Sequence, residues 1–336
     1  SMSAGWNGEL GTASTADGAF GLGGVRLEAA GPGASLTRRT CERCRFGRSF
    51  DAYAVHFLRR PDGGRFRVEL DGETLRTVST AGAGGLGVVE GSVPDGPHTL
   101  GVVSEGGGPV LLLGIRTRSG AGGVEYASLG LNGATATDFA DMHGPVAEAQ
   151  LGRLDPDLLV FAFGTNGAYN LFRFAHKYGD NPKAVRQQKQ RWTSGFRRLL
   201  DESLEAADGA SCLVVTPPDL SAGRCRRQTT APDGTAQCIR RPTTFDYVVD
   251  QQIRLAHEFG CAVWNQAEAM GGPGSIDRWH DHRPRLAREG GKHLTMEGYR
   301  LVGSRLYEDL MDAYEGWRDG EPAPLESGPI RLGPPG

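Results

Sequence analysis

The chain changes pattern once, near Gly123, and that change limits the folds open to it. Before it, short alternating runs are cut by turn residues. Tyr53 to Leu58 reads as a strand and Pro61-Asp62-Gly63-Gly64 as a turn. Phe66 to Leu70 alternates apolar and polar residues before Asp71-Gly72, a hairpin signal. Pro94-Asp95-Gly96-Pro97 introduces His98 to Val103, and Val110 to Ile115 follows. Five or more short strands at this spacing predict a β-sandwich of jelly-roll type over residues 20–121. The 51 glycines crowd before residue 150, as a turn-rich β region requires. Residues 1–19, rich in Gly, Ser, Ala and Thr, read as a flexible lead segment.

After Gly123 strands alternate with helices, which predicts a parallel sheet covered by helices over residues 122–317. Val124 to Leu129 reads as a strand that stops at a glycine turn. Leu158 to Phe163, continuous and apolar, reads as a buried parallel strand. Asn181-Pro182 opens a helix, with Asn as cap and Pro at the first position. Its apolar positions, Val185, Trp192, Phe196, Leu199, Leu200 and Leu204, have amphipathic spacing. Cys212 to Thr216 is the next strand, stopped by Pro217-Pro218. Phe245 to Phe259 reads as a helix and Ala262 to Trp264 as a strand. Met296 to Trp317 is the last helix, with Tyr299, Val302, Leu306 and Leu310 on one face. The tail, residues 318–336, is rich in Pro and Gly and reads as loose.

Net charge of −3 gives no electrostatic basis for binding nucleic acid or an anionic membrane. No apolar run reaches the ~18 residues that cross a bilayer. Six cysteines are present. Cys225 and Cys238 flank a polar loop that a disulfide would rigidify. Cys212 and Cys261 sit in or beside apolar segments and read as buried free thiols. Cys41 and Cys44 form a lone C-x-x-C, which reads as a local disulfide or idle thiols, since one pair cannot make a four-ligand zinc site. The even count leans towards an oxidising compartment. No metal or organic cofactor is expected. His280-Asp281-His282 reads as a solvated loop without a third ligand.

Active sites of open parallel sheets form at the carboxyl ends of the strands, and three such ends carry suitable groups. Ser128-Leu129-Gly130-Leu131-Asn132-Gly133 stops on glycines, so the backbone can approach a ligand and aim an N–H at it. Gly164-Thr165-Asn166 supplies a neutral amide donor, suited to a developing oxyanion. Lys292-His293-Leu294-Thr295 places an imidazole just before the last helix, where it can act as general base, with Thr295 as N-cap. Trp279 reads either as a stacking surface for a sugar or as a core residue.

In order and spacing these three blocks resemble the SGNH (GDSL-type) hydrolases. Gly130 to Ala136 resembles the family's second block, Gly164-Thr165-Asn166 the third, and His293-Leu294-Thr295 with Gly298-Tyr299 the fifth. The resemblance runs from Gly122 to Trp317. It implies a flavodoxin-like α/β/α sandwich, oxyanion donors at the Gly130 N–H and the Asn166 side chain, and His293 as base. Residues 20–120 resemble the β-sandwich of two-domain members, which are extracytoplasmic carbohydrate O-acetylesterases, including the peptidoglycan type. The implied substrate is an acylated polysaccharide or a small ester. The sequence does not set the oligomeric state.

Two departures stand against the family pattern. The serine-bearing Gly-Asp-Ser block is absent; the single Gly-Asp pair, Gly179-Asp180, is followed by Asn181. In the two-domain arrangement that block lies before the β domain. The resemblance therefore leaves three readings: a serine on an upstream segment, Ser128 as nucleophile, or a non-catalytic relative that binds glycans or proteins. The family also places an Asp three residues before the histidine, where this chain has Gly290. Glu289 is the nearest substitute, with Asp277 and Asp281 further away.

Overall fold

The computed structural model describes residues 6–10, 20–29, 31–120, 122–179, 181–223, 227–230, 236–321, 325, 327–330 and 332. The chain forms two compact units, Ser1–Ala134 with Asp138–Asp155, and Thr135–Thr137 with Pro156–Gly336.

Among its described residues the first unit holds nine strands: β1 (Trp6–Leu10), β2 (Val25–Ala29), β3 (Ser35–Arg39), β4 (Phe50–Arg59), β5 (Arg65–Leu70), β6 (Glu73–Ser79), β7 (Gly85–Gly96), β8 (Thr99–Gly106) and β9 (Val110–Arg118). They form two antiparallel sheets, ordered β1-β2-β9-β4-β7 and β3-β8-β5-β6. Alternate residues face one another between them: Tyr53, Val55 and Phe57 from β4, Phe66 and Val68 from β5, Leu100 and Val102 from β8. The Phe57 and Phe66 rings meet edge-on at 5.3 Å, and each buried ring contributes about 1.5–3 kcal/mol. The expected hairpin at Asp71-Gly72 joins β5 to β6, with φ of 54° and 94°. Positive φ at both positions is what a two-residue turn between twisted strands needs.

Two helices follow, α1 (Ala136–Met142) and α2 (Pro145–Leu154). On β4, His56 points away from the Val55 and Phe57 face, and only 4% of it is exposed. Burial holds its pKa below the ordinary value, and the nearby Arg153 adds to the effect.

The strand expected over Val124 to Leu129 does not form. Residues 124–131 are irregular, and Val124 and Tyr126 are 97% and 85% exposed. A strand needs a ladder partner, and none of the described strands pairs here. Instead Arg116 at the end of β9 grips the Glu125 carboxylate through two hydrogen bonds of 2.6 and 2.7 Å.

In the second unit β10 (Leu158–Ala162), α3 (Thr165–Lys177), α4 (Pro182–Ala206) and β11 (Ser211–Val215) come first. A short hairpin, β12 (Arg227–Thr230) and β13 (Ala236–Ile239), precedes α5 (Thr243–Glu258) and β14 (Ala262–Trp264). Then come α6 (Gln266–Ala269), α7 (Ser275–Asp281) and α8 (Met296–Arg318). The sheet is parallel, in the order β10-β11-β14. Leu213 and Val215 of β11 join Trp264, Ile276, Trp279 and Val302 in one core. Val214, fully buried, points to the other face, where α5 contacts β11 and β14. Helices therefore lie on both faces of the sheet.

The capping expectations hold. The Asn181 side chain accepts a hydrogen bond from the Ala184 N–H at 3.1 Å, with Pro182 at the first position. Thr295 accepts from the Gly298 N–H at 3.2 Å. Three other expectations change. Cys212 and Cys261 are a disulfide, not free thiols, because β11 and the start of β14 bring their Cα atoms to 4.8 Å. Among the described strands β10 lies at an edge, paired only with β11, and Leu158 and Val160 are 47% and 49% exposed. The apolar positions expected on one face of α8 split, with Val302 buried and Tyr299 and Leu310 exposed. Cys41 and Cys44 form a local disulfide, one of the two alternatives their spacing left open. Cys225 lies outside the described residues, and with it the pairing to Cys238.

Candidate active site

Within the second unit, two candidate groups lie at or near the carboxyl end of the sheet. The first is the turn from β10 into α3. Gly164 sits there at φ 126°, a conformation that L side chains rarely adopt, and an added Cβ would lie 2.7 Å from the Pro217 ring. The turn is fixed from behind by Gln252 of α5. Its amide is fully buried, and its Nε2 donates to the Phe163 carbonyl at 2.9 Å. Thr165 and Asn166 follow as the first two residues of α3, both half-buried. An amide on the first turn of a helix is surrounded by unpaired backbone N–H groups, and the helix dipole adds positive potential there. That environment stabilises a developing negative charge.

The second group is the loop before α8. Ala287 bridges to Leu294, and the Arg288 N–H donates to the His293 carbonyl at 2.8 Å. The tip turns on Gly290 and Gly291, at φ 89° and 62°. Glycine at 290 is therefore a backbone requirement, and a side-chain carboxylate there would be strained. The Ser221 N–H donates to the Gly291 carbonyl at 2.9 Å, fixing the loop to the segment that follows β11. Ser221 is a hydroxyl the sequence reading passed over; its place beside this loop comes from a long-range contact with no local pattern.

One contact joins the two groups. Lys292, the residue before His293, holds its Nζ 3.2 Å from the centre of the Tyr169 ring, three residues after Asn166 on α3. The imidazole-bearing loop and the amide-bearing helix are thereby braced against each other. His293 is exposed, and among the described residues no side chain hydrogen-bonds its imidazole. The Glu289 carboxylate is 86% exposed and pairs with Arg285 at 3.7 Å. Asp277 pairs with Arg240 at 3.4 Å. Two of the three carboxylates considered as orienters, Glu289 and Asp277, are thus engaged with arginines.

Other residues singled out in the sequence take structural places. Trp279 has no exposed surface and donates from Nε1 to the Met270 carbonyl at 3.2 Å, so it is a core residue and not a platform for a sugar. Arg241 pairs with the fully buried Asp219 at 3.4 Å and with Asp246 at 2.9 Å. Burial raises the Asp219 pKa; Arg241 and backbone N–H groups pull against it. Among the described residues no cluster of three His, Cys, Asp or Glu could hold a metal ion, and no helix is long and apolar enough to cross a membrane. In the first unit, Ser128 and Gly130 are exposed on the irregular segment, and Gly133 has φ 84°.

No protein-family model and no curated protein matches the chain. Among solved structures, a peptidoglycan O-acetylesterase is similar over 93% of this chain and 77% of its own, with a TM-score of 0.64 at 22% identity. A lipase/acylhydrolase from Enterococcus faecalis is similar over 51% of this chain and 68% of its own, with a TM-score of 0.32 at 19% identity. A β-1,3-glucan-binding family 6 module from Bacillus halodurans is similar over 35% of this chain and 89% of its own, with a TM-score of 0.26 at 22% identity. The last two scores are too low to carry an argument. The likeness to the peptidoglycan O-acetylesterase is one of fold: an antiparallel β-sandwich unit and an α/β unit with a parallel sheet.

Proposed function

We propose that the protein is an SGNH-type esterase that removes O-acyl groups, O-acetyl above all, from a polysaccharide. The observation that carries this reading is the bracing of the His293 loop against the Asn166 helix through Lys292 and Tyr169. It gives a proton acceptor and an oxyanion donor a common support near the carboxyl end of a parallel sheet. In the proposed reaction a hydroxyl attacks the ester carbonyl and its proton passes to His293. Negative charge then grows on the carbonyl oxygen, where the Asn166 amide stabilises it. Collapse expels the sugar hydroxyl, which takes the proton back from His293, and leaves an acyl-enzyme for water to cleave.

The Gly130 N–H, with Gly133 holding the turn, is the proposed second oxyanion donor, and Thr165 a neighbouring polar contact. Ser128 is the proposed nucleophile. These assignments rest on motif order alone. No metal or organic cofactor enters the scheme. The β-sandwich is the proposed glycan-binding part. The two disulfides fit an oxidising, extracytoplasmic setting.

A second reading has its own support: the exposed His293 imidazole, with no carboxylate or hydroxyl bonded to it among the described residues, and Glu289 committed to Arg285. That arrangement suits a non-catalytic glycan- or protein-binding module. Turnover of p-nitrophenyl acetate by the parent, Ser128→Ala and His293→Ala chains separates the readings. Turnover lost in both variants supports the esterase; an inactive parent favours the binding module.

A further inference from the structure

At one end of the β-sandwich the core gives way to a polar cavity of about 210 Å³. It lies where the chain crosses from one sheet to the other, between the end of β3 and the start of β4. Arg38, Arg39, Thr40, Ser49, Phe50 and Thr117 line it. Strand alternation explains its polarity. Leu36 of β3 and Ile115 of β9 pack against the core. Two residues further along each strand, the same inner faces carry Arg38 and Thr117. The layer that would close the sandwich therefore holds a guanidinium and a hydroxyl in place of two apolar side chains. Neither Arg38 nor Arg39 has a carboxylate partner among the described residues. The crossing loop adds to the charge, since residues 38–48 hold five arginines and one glutamate. That loop is held by the Cys41–Cys44 disulfide and by the Cys41 N–H, which donates to the Gly47 carbonyl at 2.8 Å.

We propose that this cavity binds a single sugar residue that carries an anionic group, a carboxylate or a phosphate. An arginine fork matches either group through two parallel hydrogen bonds. The arginine-rich loop makes the local potential positive on a chain whose net charge is −3. The rest of the lining suits the sugar itself. The hydroxyls of Thr40, Ser49 and Thr117 can each donate and accept. Thr40 Oγ1 donates to the His98 carbonyl at 3.3 Å and keeps its lone pairs for a ligand hydroxyl. Phe50 supplies an apolar side. Size favours a sugar over a bare ion. A water molecule takes about 30 Å³, and sites for drug-sized ligands run to roughly 300–1,000 Å³; this cavity lies between them. The proposal rests on the reading of the sandwich as the glycan-binding part, and gives that part a place and a charge preference.

Isothermal titration calorimetry of the full chain at low salt, with glucuronate, glucose 6-phosphate and glucose as probes, tests the site. The expected result is binding of at least one anionic sugar and none of glucose at the same concentration. The tighter of the two anionic probes names the group. Arg38→Gln should weaken that binding at least about tenfold, the loss expected for a hydrogen bond to a charged group. Arg38 is exposed, so circular dichroism and melting stay unchanged. Arg76→Gln, on β6 at the opposite edge of the same sheet, should bind as the parent does. Binding of neither anionic sugar overturns the proposal, and so does glucose binding as tightly as they do. Inorganic phosphate or acetate binding as tightly as the sugars reduces the cavity to a plain anion site and overturns it too. So does binding indifferent to Arg38→Gln or equally weakened by Arg76→Gln. The assay contains no ester, so its failure is distinct from a failure of the esterase reading, which p-nitrophenyl acetate turnover decides.

Discussion

The ammonium of Lys292 rests against the face of the Tyr169 ring, 3.2 Å from its centre. The two residues are far apart in sequence. One precedes the candidate base, His293, and the other follows the candidate oxyanion donor, Asn166, by one helical turn. A cation held on an aromatic face contributes about 0.5–2 kcal/mol. Lys292→Ala should therefore open the loop population by about 2- to 30-fold. Hydrogen exchange of the amides of residues 288–294 should speed up accordingly, while the β-sandwich is unchanged. Lys292→Arg should retain most of the protection.

Gln252 should matter to the same site from behind. Gln252→Leu leaves the Phe163 carbonyl without this buried donor, which costs about 1–3 kcal/mol. Thermal unfolding should show the loss, and the effect should be greater than for Gln251→Leu, at the neighbouring half-buried glutamine.

The Cys212–Cys261 disulfide closes a sequence separation of 49 residues. A loop of that length should stabilise the second unit by about 4 kcal/mol. Cys212→Ala with Cys261→Ala should lower the urea midpoint, and a reducing agent should then have little further effect on that unit.

These effects show what the sequence makes visible. Asn181-Pro182 and Thr295 mark helix starts because capping is local, and the structure keeps both. Asp71-Gly72 marks a hairpin for the same reason. Val124 to Leu129 fails because its alternation is that of a strand, yet a strand exists only with a neighbour to pair with. Leu158 to Phe163 has the composition of a central strand and sits at an edge among the described strands, since composition says nothing of how many sides pair. Cys212 and Cys261 were legible as buried and not as bonded, because bonding depends on strand adjacency. At the site, Asn166 and His293 stand out by position after a strand and before a helix. Gln252, Tyr169 and Ser221 are supporting residues that act through contacts distant in sequence, with no local signature.

Histidine 98 gives a pH test of the sandwich. Its Nδ1 meets the Asp71 carboxylate at 2.7 Å. This pairing raises the His98 pKa above 6.5 and lowers that of Asp71 below 3.8. Stability from the raised histidine is complete below pH 6.5 and is lost as pH rises through its folded value. Stability from the depressed aspartate is complete above pH 3.8 and is lost as pH falls through its folded value. The pair should therefore stabilise most between about pH 3.8 and 6.5. In an NMR titration, Asp71→Asn should bring the His98 midpoint back towards 6.5.

The central claim is that His293 and Asn166 serve one ester. It is tested most directly by a double-mutant cycle on p-nitrophenyl acetate hydrolysis, measured as kcat/KM for the parent, His293→Ala, Asn166→Ala and the double variant. Groups acting in a single transition state are strongly non-additive. Each single change should cost about 10²- to 10³-fold, and the double change little more than the worse single one. A parent without activity, or single variants that turn over ester at the parental rate, would contradict the account.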